Sequence, residues 1–429
     1  MSRLPGIRKI TFVFLVLFPL CSLADTGSVP HVLNRLHQGR FDAAEARIAG
    51  FPDDTLAAKA EKSFLQAFAT YWRVLYDPYD NRLRSRFEKQ LLEAIRQGES
   101  YMERSPGDAR ASLFLGSAHL LRAQLRAAEK KVFPAAYEAK KSRKMLLRSL
   151  QASDSGPDSC FGLGTYEYYA DQLPAVVKGL RFLLFIPGGD RELGLRRLER
   201  AADEGSLFRF EARVVLLTIY SGDKEHLHDD ALRHAGLLLD EQDRSVTALH
   251  AAAKLYLGLA RPERAASLLA EALALAEEDT DDDVMAALHY QAAQAEYQRF
   301  RPQAALVHLN WMLEPGRTVP EELGEDADDL VRRCRLMAVA GEGSALKRML
   351  EGRELLVGGK PAEALRPLVV AAGSTSLPAE FRNRCRLMAG QAADLSGKRT
   401  QAQRWYREAG RHNAAALYRK RPFTIQDGF

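Results

Sequence analysis

The chain has 429 residues, 46% of them hydrophobic and 27% charged, with four cysteines and a net charge of +5. This length suits several domains or one long repeat array, and the apolar content excludes general disorder. The charge is too small to argue for nucleic acid, and no basic stripe interleaved with exposed aromatics stands out.

Residues 1–24 read as a secretory signal peptide. Arg3, Arg8 and Lys9 form a positive start, Ile10 to Leu20 an apolar run, and Ser22-Leu23-Ala24 a small-residue cleavage site, with cleavage expected after Ala24. Removing the three bases lowers the net charge from +5 to +2. Cys21 raises a lipoprotein alternative, but Phe18-Pro19-Leu20 lacks the small residue expected ahead of a lipidated cysteine. No later segment is long and apolar enough to span a bilayer. The greasiest, Val176 to Ile186, is interrupted by Lys178 and Arg181. The expected location is therefore the periplasm of a Gram-negative-like bacterium, or the outside of the cell.

The rest is rich in Ala, Leu, Arg and Glu and has no long β-branched runs, so it reads as helix throughout. Val29 to Gly50 predicts a first helix pair with its turn at Gln38-Gly39-Arg40. Thr55 to Leu75, Asn81 to Arg104, Ala109 to Leu125 and Lys130 to Ala152 follow, and Ser153 to Asp158 reads as a loop. Phe161 to Asp171, Ala175 to Phe185 and Arg191 to Glu204 are three helical pieces, broken at Leu173-Pro174 and Pro187-Gly188-Gly189. Asp190 is placed to cap the last of them. Phe208 to Tyr220, His228 to Glu241, Ser245 to Leu259, Pro262 to Ala276, Asp282 to Arg299 and Pro302 to Leu313 come next. Asp326 to Ala340, Ser344 to Val357, Pro361 to Val370, Pro378 to Leu395, Thr400 to Ala409 and Asn413 to Arg419 complete the array, and Arg421 to Phe429 reads as an extended tail.

A turn marker recurs at Gly39, Gly189, Ala260, Phe300, Gly359 and Gly397. Five residues on stands a small residue: Ala44, Gly194, Ala265, Ala305, Ala364 or Ala402. Nine on stands a packing residue: Ile48, Leu198, Leu269, Leu309, Leu368 or Tyr406. Seven before the later markers are Ala253, Ala293, Gly352 and Gly390. The pattern resembles the tetratricopeptide repeat, whose helix pairs bury their faces only by stacking. That implies an all-α superhelical solenoid, with the larger residue filling the gap to the next repeat. The units are 25–152, 153–205 with an inserted helix, 206–314 and 315–419, then a tail at 420–429. The order of Gly162-Leu163-Gly164, the aromatic run, Leu173-Pro174 and Gly189-Asp190-Arg191-Glu192-Leu193-Gly194-Leu195 resembles the centre of the eukaryotic tetratricopeptide repeat protein 39 (inclusion body clearance) family. From that likeness only architecture carries over.

No residue set assigns a catalytic, cofactor-binding or metal role. Glu225-His226-Leu227-His228-Asp229-Asp230 looks most like a metal site, but no spacing fixes a fourth ligand, and a polar helix start explains it. The acidic run from Glu277 to Asp283 has no glycine and no alternation, so it reads as a solvated loop with an N-cap rather than a calcium site. Cys334 and Cys385 share the context CRLMA, which fits two equivalent buried positions or one disulfide. The densest aromatic cluster holds Phe161, Tyr166, Tyr168, Tyr169, Phe182 and Phe185. Core packing explains it; so does a platform for a protein or peptide partner formed by Tyr166, Tyr168, Tyr169, Asp190 and Arg191. The expected function is an exported, non-enzymatic scaffold without cofactor. The alternatives are a metal enzyme using His226 and His228, or membrane-surface association through Val176 to Ile186.

Overall fold

Five of the six turn markers, Gly39, Ala260, Phe300, Gly359 and Gly397, hold positive φ angles between 56° and 75°. In each case the next residue's N–H reaches the carbonyl five residues back: Arg40 to Arg35, Arg261 to Tyr256, Arg301 to Glu296, Lys360 to Leu355 and Lys398 to Ala393, all at 2.8–2.9 Å. This closes one helix with a left-handed residue and turns the chain. The next helix starts two residues after the marker. Lys130, with φ 60°, makes the same turn through Lys131 N–H to Arg126 at 2.9 Å. The sequence pattern missed this copy because a lysine stands where the others have a glycine or an apolar residue.

A computed structural model describes residues 29–151, 156–172, 188–222, 224–225, 227–240, 243–340, 344–410 and 413–427. Among them every regular element is helical. The first half comprises α1 (Val29–His37), α2 (Phe41–Ala49), α3 (Leu56–Tyr76), α4 (Asn81–Arg104), α5 (Ala109–Ala128), α6 (Val132–Gln151), α7 (Gly156–Asp171), α8 (Arg191–Glu204), α9 (Arg209–Ser221) and α10 (His228–Leu238). The second half comprises α11 (Val246–Gly258), α12 (Pro262–Leu275), α13 (Asp282–Gln298), α14 (Pro302–Met312), α15 (Glu321–Ala340), α16 (Ser344–Val357), α17 (Pro361–Gly373), α18 (Ala379–Leu395), α19 (Arg399–Glu408) and α20 (Asn413–Lys420). This is the all-α superhelical array of tetratricopeptide-like hairpins that the repeat implied. The signal peptide, the inserted helix at 175–185, Phe182, Phe185, Val176 to Ile186 and His226 lie outside the described residues.

The small and large repeat positions are core. Ala44, Ala265, Ala305, Ala364 and Ala402 are fully buried, as are Ile48, Leu198, Leu269, Leu309, Leu368 and Tyr406. In two hairpins the large residue is seated on the glycine seven before its own marker: a Cβ on Gly352 would lie 2.6 Å from Leu368 Cγ, and one on Gly390 2.3 Å from the Tyr406 ring.

Three expectations change. α7 begins at Gly156, inside the expected loop, because Pro157 in a first helical turn needs no N–H partner. α15 begins five residues before Asp326. The tail is packed rather than extended: Phe423 is buried, and Asp427 accepts from Arg261 Nη2 and from Arg421 Nη2, each at 2.7 Å. Cys160, Cys334 and Cys385 are buried free thiols, and burial pushes Cys334 up to about 11 and Cys385 up to about 12.

The acidic run is not merely solvated. It receives the first hairpin, some 240 residues earlier. Asp281 N–H donates to Gly39 O at 2.8 Å, Arg40 donates to Glu277 at 2.6 Å and to Asp279 at 2.7 Å, and Arg73 pairs with Asp281. Alongside, His37 stacks on Phe210 with centroids 3.8 Å apart, and Thr247 Oγ1 donates to His37 O at 2.9 Å.

Asp283, beside this contact, is pushed up to about 7, first by burial and then by Asp281 and Asp77, with Arg73 opposing. A carboxyl raised by folding favours the folded state fully below its unfolded value of about 4, and that contribution is lost as pH rises through about 7. Asp283→Asn is therefore expected to stabilise the protein by about 1–2 kcal/mol at pH 8, the shift being discounted for solvent screening, and by little near pH 4. Urea unfolding at the two pH values checks this. Equal effects at both would refute the assignment.

Candidate partner-binding surface

Helices α7 and α8 cross with backbone close to backbone at two glycines. A Cβ on Gly194 would lie 2.6 Å from Tyr168 N, and one on Gly164 would lie 2.7 Å from Gly194 O. This contact fixes α8 against the aromatic end of α7. Asp190 caps α8, accepting from Leu193 N–H at 2.9 Å. It is therefore occupied by its own helix.

The three tyrosines separate because successive helical residues point about 100° apart. Tyr166 is buried, with Arg143 5.9 Å from its ring. Tyr168 is buried and donates from its hydroxyl to Glu225 Oε1 at 3.0 Å. Tyr169 is 50% exposed, and its ring meets Tyr168 edge-on at 5.2 Å. Arg191 Nε donates to Glu225 Oε1 at 2.8 Å, and its Nη2 reaches the second carboxylate oxygen. The fork from Arg191 holds Glu225 below the usual carboxylate range, burial opposing and Tyr168 assisting. Burial and the same carboxylate push the Tyr168 hydroxyl up. Of the five residues singled out by the sequence, Tyr169 and part of Arg191 face solvent, Tyr166 and Tyr168 are core, and Asp190 is a cap.

Sequence reasoning missed Glu225 as the organising group. It lies 34 residues beyond Arg191, in a stretch weighed only as a metal site. Nearby, Glu199 accepts from Tyr220 at 2.7 Å and from Arg233 at 2.7 Å, and lies 3.1 Å from His234 Nε2. Burial would raise Glu199, but these hydrogen bonds outweigh it and hold it at about 2. This network ties α8 to α9 and α10. His228 and His234 are both buried. Among the described residues no group of three or more His, Cys, Asp or Glu is placed to hold a metal, and no helix is long and apolar enough to cross a membrane.

One reading needs correction. The small net charge, offered above against polyanion binding, averages over surfaces where bases and acids are segregated. On α6, Lys140, Lys144 and Arg148 are exposed, and the helix's one acid, Glu138, is buried against His119 at 2.6 Å and Arg122 at 2.7 Å. With exposed Phe133 and Tyr137 at its start, this helix carries a local basic patch that the whole-chain charge does not show.

No family model matches the chain, and no curated protein matches it. Among solved structures it is similar to a monomeric mutant of IFIT1 with Gppp-AAAA, at 13% identity over 88% of this chain and 86% of that one, with a TM-score of 0.27. It is also similar to a human IFIT1 dimer with PPP-AAAA, at 12% identity over 90% of this chain and 95% of that one, with a TM-score of 0.29. At these TM-scores the superposition is too loose to inform on this chain, and its repeat architecture rests on its own turns and crossings.

Proposed function

We propose that the chain is an exported bacterial scaffold that binds a protein or peptide partner and does no chemistry. Its central stretch, Gly162 to Leu195, resembles the centre of the tetratricopeptide repeat protein 39 (inclusion body clearance) family, a likeness from which only architecture carries over. The signal-peptide pattern of residues 1–24 supports export with cleavage after Ala24. The binding reading rests on one observation: an exposed ring, Tyr169, meets edge-on the buried Tyr168, whose hydroxyl shares the Glu225 carboxylate with the Arg191 guanidinium. An aromatic and an arginine held in place before binding lose little entropy when a partner arrives.

The test is an affinity pull-down from envelope extract with residues 25–429, beside a Tyr169→Ala, Arg191→Lys variant. The lysine keeps a charge near Glu225 and removes the fork, so the variant is expected to unfold within about 1 kcal/mol of the parent. A partner caught by the parent and at least tenfold depleted with the variant supports this face. Equal capture moves the binding face elsewhere, and no specific partner overturns the scaffold reading.

A further inference from the structure

The outer face of α6 is basic along most of its length and apolar at its start. Phe133, Tyr137, Lys140, Lys144, Arg148 and Gln151 are all exposed and recur every three or four residues, which places them on one stripe about 27 Å long. The opposite face, through Glu138, Ser142, Leu146 and Ser149, is buried. Lys140, Lys144 and Arg148 make no ion pair with a described residue. On α4, by comparison, Arg84 lies 3.7 Å from Glu129 and Arg86 pairs with Glu45, while Arg82 and Lys89 make no ion pair with a described residue. No described residue neutralises these α6 charges. An open concavity of about 460 Å³ lies among them, lined by Tyr137, Lys140, Lys141, Lys144, Leu147 and Arg148.

We propose that this face docks on an anionic lipid surface, with the start of α6 entering the headgroup layer and the lysines lying over it. Three observations favour a bilayer over a nucleic acid. The apolar residues stand together at one end, Val132 at 45%, Phe133 at 56% and Tyr137 at 58% exposure, rather than alternating with the charges. A valine gains from an acyl boundary and offers nothing for bases to stack on. The Tyr137 ring already carries the Lys141 ammonium, 4.9 Å from its centroid, so that face is covered. Most of the bases are lysines, point charges on long stems that suit a diffuse headgroup layer; arginine forks, which clamp single phosphates, are the minority. The proposal is independent of the Tyr169 and Arg191 face.

The test is co-sedimentation of residues 25–429 with vesicles of phosphatidylcholine alone and of phosphatidylcholine with equal phosphatidylglycerol. Binding is expected only to the anionic vesicles and is expected to fall as salt is raised. Lys140→Gln, Lys144→Gln, Arg148→Gln in one chain is expected to lower partitioning about a hundredfold, since each base near an anionic surface contributes comparably. Phe133→Ser with Tyr137→Ser, which leaves every charge in place, is expected to lower it about tenfold. Circular dichroism confirms that these surface variants fold. Equal binding to neutral vesicles overturns the proposal, as does anionic binding that survives the triple substitution. Tighter binding to a single-stranded oligonucleotide than to the anionic vesicles, unaffected by the serine variant, would reassign the stripe to nucleic acid.

Discussion

Replacing Asp158 by alanine is expected to cost about 2–4 kcal/mol of folding stability, because it removes at once the acceptor of three backbone donors, of which that of Phe208 is buried and those of Ser206 and Leu207 are partly buried. One oxygen of Asp158 accepts from Ser206 N–H at 3.0 Å, Leu207 N–H at 2.8 Å and Phe208 N–H at 3.0 Å, and the other accepts from Ser206 Oγ at 2.9 Å. The side chain is buried in the first turn of α7, and the donors lie about 50 residues on, in the turn that leads into α9. No helix cap of its own holds α9, since Phe208 contributes no side-chain acceptor. Asp158 therefore fixes the entry of one repeat from the start of the previous one. Asp158→Asn keeps one acceptor oxygen and is expected to cost about half as much. Guanidinium unfolding followed by circular dichroism checks both. A loss below about 1 kcal/mol for the alanine would mean that water reaches the three donors, and would sink the argument.

How far this could be read in advance depends on the range of the interaction. The turns were legible because their cause is local: a residue in the left-handed region, then a helix start two residues on. Even Ala260 and Phe300, which pay a conformational cost at positive φ, showed themselves through the small residue five on and the leucine nine on. Lys130 hid because a lysine stands at the marker and Ala139, nine on, is not a large packing residue, although its backbone does what the others do. The seat of the large residue within its own hairpin needed more than local spacing. Sequence spacing shows that Leu368 and Gly352 are special, and only the crossing of α16 and α17 shows that they meet. The docking of the first hairpin on Glu277 to Asp281 joins residues about 240 apart, and no local signal announces it.

The candidate surface divides along the same line. Asp190 as a cap follows from its place one residue before a helix. The opposite fates of Tyr168 and Tyr169 follow from helical rotation once one face is known to be buried, and the sequence alone does not say which. Arg191 gains its meaning from Glu225, on a turn that reaches it only after α8 and α9 have packed. The basic stripe of α6 was masked by counting charge over the whole chain, when the informative quantity is which acids lie near which bases.

Gly194→Ala is expected to cost about 3 kcal/mol or more, although alanine is the better helix former by about 1 kcal/mol. The added Cβ would meet Tyr168 N at 2.6 Å, Gly164 O at 2.9 Å and Tyr168 Cα at 3.1 Å. All three are backbone atoms of α7, so no rotamer change relieves the clash and the helices must move apart. Leu198, fully buried one turn on, would lose its seat against Gly164, and Arg191 its distance to Glu225. Gly236→Ala in α10 supplies the contrast. Nothing lies within 4 Å of its Cβ position, so there the helix propensity acts alone and a gain of about 0.5–1 kcal/mol is expected. The sign thus turns on the neighbour rather than on the residue. Gly164→Ala acts at the same crossing, its Cβ lying 2.7 Å from Gly194 O. Once either substitution has separated the helices, the second has little left to break, so the double variant is expected to cost clearly less than the two single losses together. Additive losses measured in a double-mutant cycle would mean that the two glycines serve separate contacts, and would overturn the close crossing as their common cause.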